Sequence, residues 1–307
     1  MPITQPKALR RILDRVVAET PVRDIHTHLY DPAFGGLLLW GVDELLTYHY
    51  LVAEFFRVSP MPYADFWALS KPQRADAIWK TLFVEHSPLS EATRGVLTVF
   101  QALGLDVRKR DLRPVRKWYA AQKPGNFIDL VFKTAKIREV VMTNAPFDDV
   151  ERPVWEQGYR ADPRFQPALR IDPVLLGWDK AWPRLKGWGY QVGAVPDAAT
   201  LKEVARFLRD WALKTKGLYV GVSLPPEFQM PDDSTTAKIL EGALLPVCEE
   251  LNLPLALMIG VRRQVNPDLR MAGDGMGRGS VESVEWLCKT YPQNKFMATF
   301  LSRENQH

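Results

Sequence analysis

The sequence predicts an α/β protein built from parallel βα units, of the type that closes into a (β/α)8 TIM-type barrel. Two observations support this prediction. Short aliphatic and β-branched runs recur along the chain, and amphipathic helical patterns separate the later ones. Strands that alternate with helices form parallel sheets, and the active sites of barrel enzymes lie at the carboxyl ends of the strands.

Six runs have the composition of strands. They are residues 22–25, 139–143, 168–171, 218–222, 255–259 and 296–300. Helical patterns follow in residues 201–213, 237–251 and 281–290. A closed barrel needs eight strands, so six would leave two unpaired edges and an uncovered core face. Either the fold is not a closed barrel, or the sequence lacks the last portion of its domain.

The stretch 42–137 differs from the rest because its pattern is helical almost throughout. Pro72 interrupts one amphipathic segment, Ser90 has the character of an N-cap, and Gly104 closes the helix that Ser90 begins. Connections between strands are usually a handful of residues long. We therefore expect one barrel-type domain over residues 1–307 that contains a helical insertion after its first strand.

The composition is that of an ordinary globular protein, with 46% hydrophobic and 25% charged residues and a net charge of +4. The basic residues are dispersed, which favours an anionic small molecule over nucleic acid as the partner. No long apolar run or signal region occurs, so no membrane association is expected. Cys248 and Cys288 form no disulfide framework, and a cytoplasmic location is the natural expectation.

A histidine pair, His26 and His28, follows the first strand-like run. Side chains alternate along a strand, so the two imidazoles are expected to point the same way, one pleat apart. Two neutral imidazoles at that spacing can bind one divalent ion. We expect zinc, with manganese, iron, nickel or cobalt as alternatives. The competing interpretation is two partly exposed polar residues at a strand end.

Three further residues are candidates for substrate contact. His49 and Tyr50 lie at the start of the insertion, where they could transfer protons or hold hydroxyls; the alternative is two amphipathic residues on a helix surface. Arg170 lies in an apolar strand near its carboxyl end. Its guanidinium matches a carboxylate bidentately, although a structural pair with Asp172 is an equal alternative.

The blocks 24–29, 41–50, 168–173 and 301–305 together resemble the uronate isomerases of the amidohydrolase superfamily. The resemblance implies a distorted (β/α)8 barrel of the metal-dependent hydrolase type, with helices inserted after the first strand. It also implies aldose–ketose isomerisation of D-glucuronate to D-fructuronate, and of D-galacturonate to D-tagaturonate. The implied reaction is a metal-assisted proton transfer through an enediolate.

The resemblance also assigns roles to the candidate residues. It implies that His26 and His28 are metal ligands, that His49 and Tyr50 contact the substrate and assist proton transfer, and that Arg170 binds the carboxylate. The implied partner is a sugar acid, with neither nucleic acid nor membrane, and a homo-oligomer remains open.

The chain departs from the family in two ways. Met258 stands where the family carries a histidine, and a thioether cannot exchange a proton. The family also continues through two further strands, which supply an aspartate ligand for the metal, so the chain is expected to be truncated within its barrel and its activity impaired. Two alternatives therefore accompany the isomerase: a metal-dependent hydrolase of the same superfamily, and a non-catalytic truncated barrel.

Overall fold

The structure, a computed structural model, describes residues 5–160 and 162–306. Its strands are β1 (Val22–Thr27), β2 (Ile137–Asn144), β3 (Phe165–Arg170), β4 (Val220–Leu224), β5 (Leu255–Ile259), β6 (Val261–Arg262), β7 (Gly275–Met276) and β8 (Phe296–Phe300). A six-stranded sheet has the order β1-β2-β3-β4-β5-β8, and every neighbouring pair in it is parallel. The antiparallel pair β6 and β7 forms a separate small ribbon. The predicted α/β class with parallel βα units is confirmed.

Helices connect and cover these strands. The α-helices are α1 (Pro6–Glu19), α2 (Val42–Leu46), α3 (His49–Val58), α4 (Tyr63–Ala68), α5 (Lys71–Trp79), α6 (Glu91–Ala102), α7 (Leu112–Ala120), α8 (Pro124–Thr134), α9 (Glu151–Glu156), α10 (Asp172–Leu176), α11 (Trp178–Gly187), α12 (Ala198–Thr215), α13 (Thr235–Ile239), α14 (Leu245–Glu250) and α15 (Val281–Thr290). Short 3₁₀ turns cover Pro32–Leu37, Val107–Lys109, Pro267–Gly273 and Arg303–Gln306, and π-helical turns cover Lys80–Glu85 and Leu240–Leu244.

The parallel sheet forms a half-barrel whose two faces differ. Side chains on its outer face, among them Leu169, Val222 and Leu257, join the main hydrophobic core with residues of the covering helices such as Phe207 of α12. The inner face carries a smaller apolar cluster centred on Tyr219. Within the described residues, β1 and β8 are the edges of the sheet and neither has a partner on its outer side. The half-barrel therefore does not close within this part of the chain.

The insertion has a core of its own. Helices α2 to α7 contribute buried side chains to a separate cluster that includes Phe55, Phe66 and Phe100. Ser90 caps α6 by accepting a hydrogen bond from the Thr93 amide at 3.2 Å, as its sequence position predicts. Pro72 lies in the first turn of α5, where its missing N–H costs nothing. That the insertion belongs to a single domain over 1–307 stays a prediction, and residues 1–4 and 307 lie outside the described part.

The predicted strand boundaries are close to those observed. The last two predicted strands, 255–259 and 296–300, coincide with β5 and β8, whereas β2 is longer at both ends than the predicted 139–143. The β6–β7 ribbon was not predicted, because two strands of two residues each carry no readable alternation. Within residues 5–160 and 162–306, no helix combines the length and apolarity that crossing a membrane requires.

Candidate active site

A cavity of about 300 Å³ occupies the inner face of the half-barrel. Its lining residues are Ile25, His26, Thr143, Ala168, Arg170, Tyr219, Gly221, Val222, Ser223, Ala256, Leu257, Met258, Met297 and Thr299. Thr143, Arg170, Ser223 and Thr299 lie within the last two residues of their strands. The polar side chains therefore gather at the carboxyl ends of the strands, where parallel barrels place their chemistry.

The structure brings the two predicted histidines together, but not through regular strand alternation. Strand β1 ends at Thr27, so His28 lies in the bend that follows. Asp24 pairs with Val140 and Thr27 with Met142, so Ile25 and His26 together face one residue of β2, which is a β-bulge. The two imidazole centroids are 5.4 Å apart, edge to face. The expectation of a position one pleat apart was wrong, because His26 lies in a bulge of β1 and His28 lies in the bend after the strand.

The surroundings of this pair favour the neutral imidazoles. Burial lowers the pKa of His26 below the ordinary value of 6.5, and the positive charge of Arg170 lowers it further. Burial also lowers the pKa of His28, assisted by its neighbour His26, while Asp24 acts in the opposite direction on both. Neutral imidazole is the form that binds metal ions.

The donor chemistry of the pair fits a divalent ion. Two neutral nitrogen ligands suit zinc and its neighbours in the first transition row. Within the described residues, however, no group of three or more histidine, cysteine, aspartate or glutamate side chains is placed to share a metal. His26 and His28 would thus supply two ligands of a site that usually takes three from protein. Met258 lines the same cavity and carries no proton to exchange.

His49 and Tyr50 begin α3, and the preceding Tyr48 lies between them and the histidine pair. The Tyr48 ring is 6.3 Å from that of His28 and 4.3 Å from that of His49. The ring centroids of Tyr50 and His49 are 4.2 Å apart. Tyr50 is nevertheless 63% exposed, and it lines a second, largely apolar cavity on the insertion. Tyr48 was not predicted as a site residue, although it belongs to the same aromatic block.

Burial lowers the pKa of His49, an effect that the carboxylate of Asp274 opposes and the guanidinium of Arg263 reinforces. Both residues belong to the segment around the β6–β7 ribbon. Asp274 accepts hydrogen bonds from Arg263 Nη1 at 2.7 Å and from the Gln264 amide at 2.8 Å. This segment thus places an ion pair where its charges act on His49. The sequence alone did not predict the pair, because it forms only when the folded segment brings Arg263 and Asp274 together.

Arg170 faces the cavity and is also paired with Asp172. Its Nε donates to the Asp172 carboxylate, and its Nη2 donates to the Ser223 hydroxyl at 3.0 Å. Asp172 in turn accepts the Ser223 amide at 2.5 Å, which ties the end of β3 to β4. The alternative of a structural pair with Asp172 is therefore observed, and this pair holds a guanidinium that still lines the cavity.

The chain is similar to proteins of known structure. No protein-family model and no curated protein matches the chain. The crystal structure of a uronate isomerase from Bacillus halodurans C-125 is similar with a TM-score of 0.96 and 47% sequence identity, covering 100% of this chain and 72% of that one. The chain belongs to the uronate isomerase family. The resemblance to uronate isomerases inferred from its residues is thereby confirmed.

Two structures of lower sequence identity share the fold of this chain. A glucuronate isomerase from Caulobacter crescentus has a TM-score of 0.70 at 15% identity, and the match covers 99% of this chain and 73% of the Caulobacter chain. A uronate isomerase from Thermotoga maritima has a TM-score of 0.70 at 14% identity, covering 97% of this chain and 74% of its own. At such identities the likeness shows the architecture alone.

Proposed function

We propose that this chain isomerises a uronate between its aldose and ketose forms, D-glucuronate to D-fructuronate and D-galacturonate to D-tagaturonate. The observation that carries the proposal is a likeness over the whole chain, at 47% identity, to a protein described as a uronate isomerase. The cavity supports it, because the His26 imidazole and the Arg170 guanidinium, a group suited to a sugar acid, both line it.

Arg170 is proposed to bind the substrate carboxylate. A guanidinium presents a planar fork that fits a carboxylate, and charge-assisted bonds of this kind are stronger than neutral ones. Asp172 and the Ser223 hydroxyl hold the group in one orientation before substrate arrives. Less side-chain entropy is then lost on binding, and the carboxylate fixes the position of the reacting end.

His49 and Tyr50 are proposed to move and hold the proton that isomerisation transfers between C2 and C1. A base that works at neutral pH must be unprotonated there, and burial keeps His49 neutral by lowering its pKa. Tyr48 packs between His49 and His28 and would keep water from the space between them. The role of Tyr50 is proposed from the resemblance alone, because its side chain is 63% exposed and lines the second cavity on the insertion.

His26 and His28 are proposed to hold a divalent ion, zinc first, with manganese, iron, nickel or cobalt as alternatives. When bound, such an ion polarises a carbonyl and lowers the pKa of a neighbouring hydroxyl. The chain's own contribution is to keep both imidazoles neutral and within reach of one ion.

The test is turnover of D-glucuronate by the purified chain with added Zn²⁺ or Mn²⁺, with a His26→Ala variant beside it. Metal-dependent turnover that the variant lacks supports the proposal. Absence of turnover with every metal contradicts it and favours the non-catalytic barrel. A parallel screen of amides, lactones and esters tests the hydrolase alternative, which gains support only from metal-dependent cleavage of one of them.

We also propose a cytoplasmic location. Cys248 is buried and Cys288 is exposed, and both are free thiols. An exposed free thiol persists best in a reducing compartment. Detection of the protein in cell fractions would test this location, and recovery from an oxidising compartment would contradict it.

A further inference from the structure

The bulge in β1 takes one peptide unit out of the sheet. Ile25 and His26 lie between the paired residues Asp24 and Thr27, opposite a single residue of β2. The peptide that joins Ile25 to His26 therefore needs hydrogen-bond partners other than the regular ladder. Since His26 follows this peptide directly, the orientation of the peptide decides where its imidazole points.

Both polar groups of this peptide are satisfied by side chains. The His26 amide donates to Asp24 Oδ1 at 3.1 Å. The Ile25 carbonyl accepts a hydrogen bond from the Tyr219 hydroxyl at 2.8 Å. The second bond spans the interior of the half-barrel, because Tyr219 immediately precedes β4 whereas Ile25 lies in β1.

The Tyr219 ring is packed against the inner face of the sheet. It is only 8% exposed and packs in one cluster with Val141 and Ala168. Gly221 leaves room for it, since a Cβ at that position would lie 3.3 Å from Tyr219 Cε2. Small inward residues thus form the groove in which the ring crosses from β4 to β1.

We propose that Tyr219 is a positioning residue for the metal ligand His26: its hydroxyl holds the Ile25–His26 peptide and so fixes the direction of the imidazole. The inference rests on the proposed function in so far as His26 binds an ion. Groups that orient a metal ligand without touching the metal commonly change metal affinity by about 10- to 100-fold.

The decisive variant is Tyr219→Phe, which keeps the ring and its packing and removes only the hydroxyl. The matched control is Tyr291→Phe, which removes a hydroxyl that donates to Glu241 at 3.0 Å on the helical side of the sheet. Two quantities are measured in the 307-residue chain. They are the affinity and visible absorption spectrum of bound Co²⁺, and the hydrogen-exchange rate of the His26 amide without metal.

We expect Tyr219→Phe to weaken Co²⁺ binding by about 10-fold or more, to alter the Co²⁺ spectrum, and to speed exchange of the His26 amide. Tyr291→Phe should leave all three unchanged. A Gly221→Ala variant, whose added methyl presses on the ring, should shift the Co²⁺ spectrum in the same direction as Tyr219→Phe.

Three results would overturn the proposal: a wild-type chain that binds no Co²⁺, a Tyr219→Phe variant with wild-type Co²⁺ binding, or equal effects of both tyrosine variants. Uronate turnover is recorded in the same samples. If no sample turns over a uronate while only Tyr219→Phe weakens Co²⁺ binding, the isomerase proposal fails and the role of Tyr219 stands.

Discussion

Arg170 shows how one residue can be structural and accessible at once. Its guanidinium bonds to Asp172 and to the Ser223 hydroxyl, yet its side chain is 27% exposed and lines the cavity. A guanidinium held by a neighbouring carboxylate keeps its charge and loses little freedom when a ligand arrives. The two interpretations that the sequence left open are therefore compatible.

Replacing Arg170 with Met should raise the KM for D-glucuronate by about 10- to 100-fold, because a charged hydrogen bond contributes about 1.5–3 kcal/mol. The change in kcat should be smaller, since the guanidinium binds the end of the substrate that does not react. Steady-state kinetics measure both constants. Arg209→Met, which removes a surface ion pair with Glu250, is the control. An unchanged KM in Arg170→Met would remove the proposed role.

The histidine pair should make stability depend on pH. The pKa of His28 is lowered from 6.5 in the folded chain, so the unfolded chain binds more protons as the pH falls through 6.5. The stabilising contribution is complete above 6.5 and is lost below it. Urea unfolding of metal-free protein at pH 7.5 and 5.5 measures the loss. His28→Gln should reduce this loss of stability. His86→Gln, at the end of the π-helical turn Lys80–Glu85, should leave it unchanged. Equal losses in all three proteins would contradict the expectation.

At the scale of elements, the loop from β2 into α9 is built around a buried carboxyl group. Glu151 is 1% exposed and accepts hydrogen bonds from the Ala145 amide at 2.9 Å and from Trp155 Nε1 at 2.8 Å. Burial raises the pKa of Glu151 from 4.5 to about 7 in spite of these bonds. The carboxyl group thus ties the end of β2 to the next helix while resisting ionisation.

This loop should lose stability as the pH rises. The unfolded chain releases the Glu151 proton from pH 4.5 upward and the folded chain only near 7, so the contribution is present below 4.5 and gone above about 7. The full change in the free energy of unfolding across this range is about 3 kcal/mol, an order-of-magnitude figure. Denaturant unfolding of wild type and Glu151→Gln across this range measures their difference in unfolding free energy, which should shrink or reverse as the pH rises. Glu285→Gln, at an exposed site, should show a constant difference, and a constant difference for Glu151→Gln would refute the assignment.

The elements also show what sequence patterns can predict. Strands β5 and β8 were predicted with their observed bounds, because each is a short run of mostly apolar residues with the composition of a strand. The β6–β7 ribbon was not predicted, because two strands of two residues each carry no readable alternation. The bulge in β1 was not predicted either, because it depends on pairing with the distant strand β2. For the same reason the candidate site was only half predicted. The sequence identified His26, His28 and Arg170, but Ser223 and Tyr219 join them only once β4 lies beside β3.

At the scale of the whole molecule, the half-barrel leaves apolar surface uncovered. Helix α1 has an apolar face but no buried residue, and Leu13 and Val17 are 52% and 74% exposed. Ile25 of the edge strand β1 is 62% exposed. Together with the unpaired edges of β1 and β8 in the described residues, this is the kind of surface through which proteins associate.

We expect the chain to associate in a concentration-dependent manner through this surface. Val17→Lys should reduce association without lowering the melting temperature, since the side chain it replaces is 74% exposed and contributes little packing. Size-exclusion chromatography with light scattering measures the association. Leu213→Lys, at a position in α12 that is 60% exposed, is the control. If both variants behave alike, the associating surface lies elsewhere.

The separate core of the insertion has a consequence for how the chain folds. Strand β1 pairs with β2 across the entire insertion, with Val22 opposite Ile137, whereas the later strands pair with their successors across shorter connections. Closing a long loop costs conformational entropy before the contacts that offset it have formed. A loop that has already collapsed around its own core is effectively shorter, so its closure costs less. The strand that carries the histidine pair should therefore dock after the insertion has folded. In the order of events, the site would be among the last parts of the molecule to form.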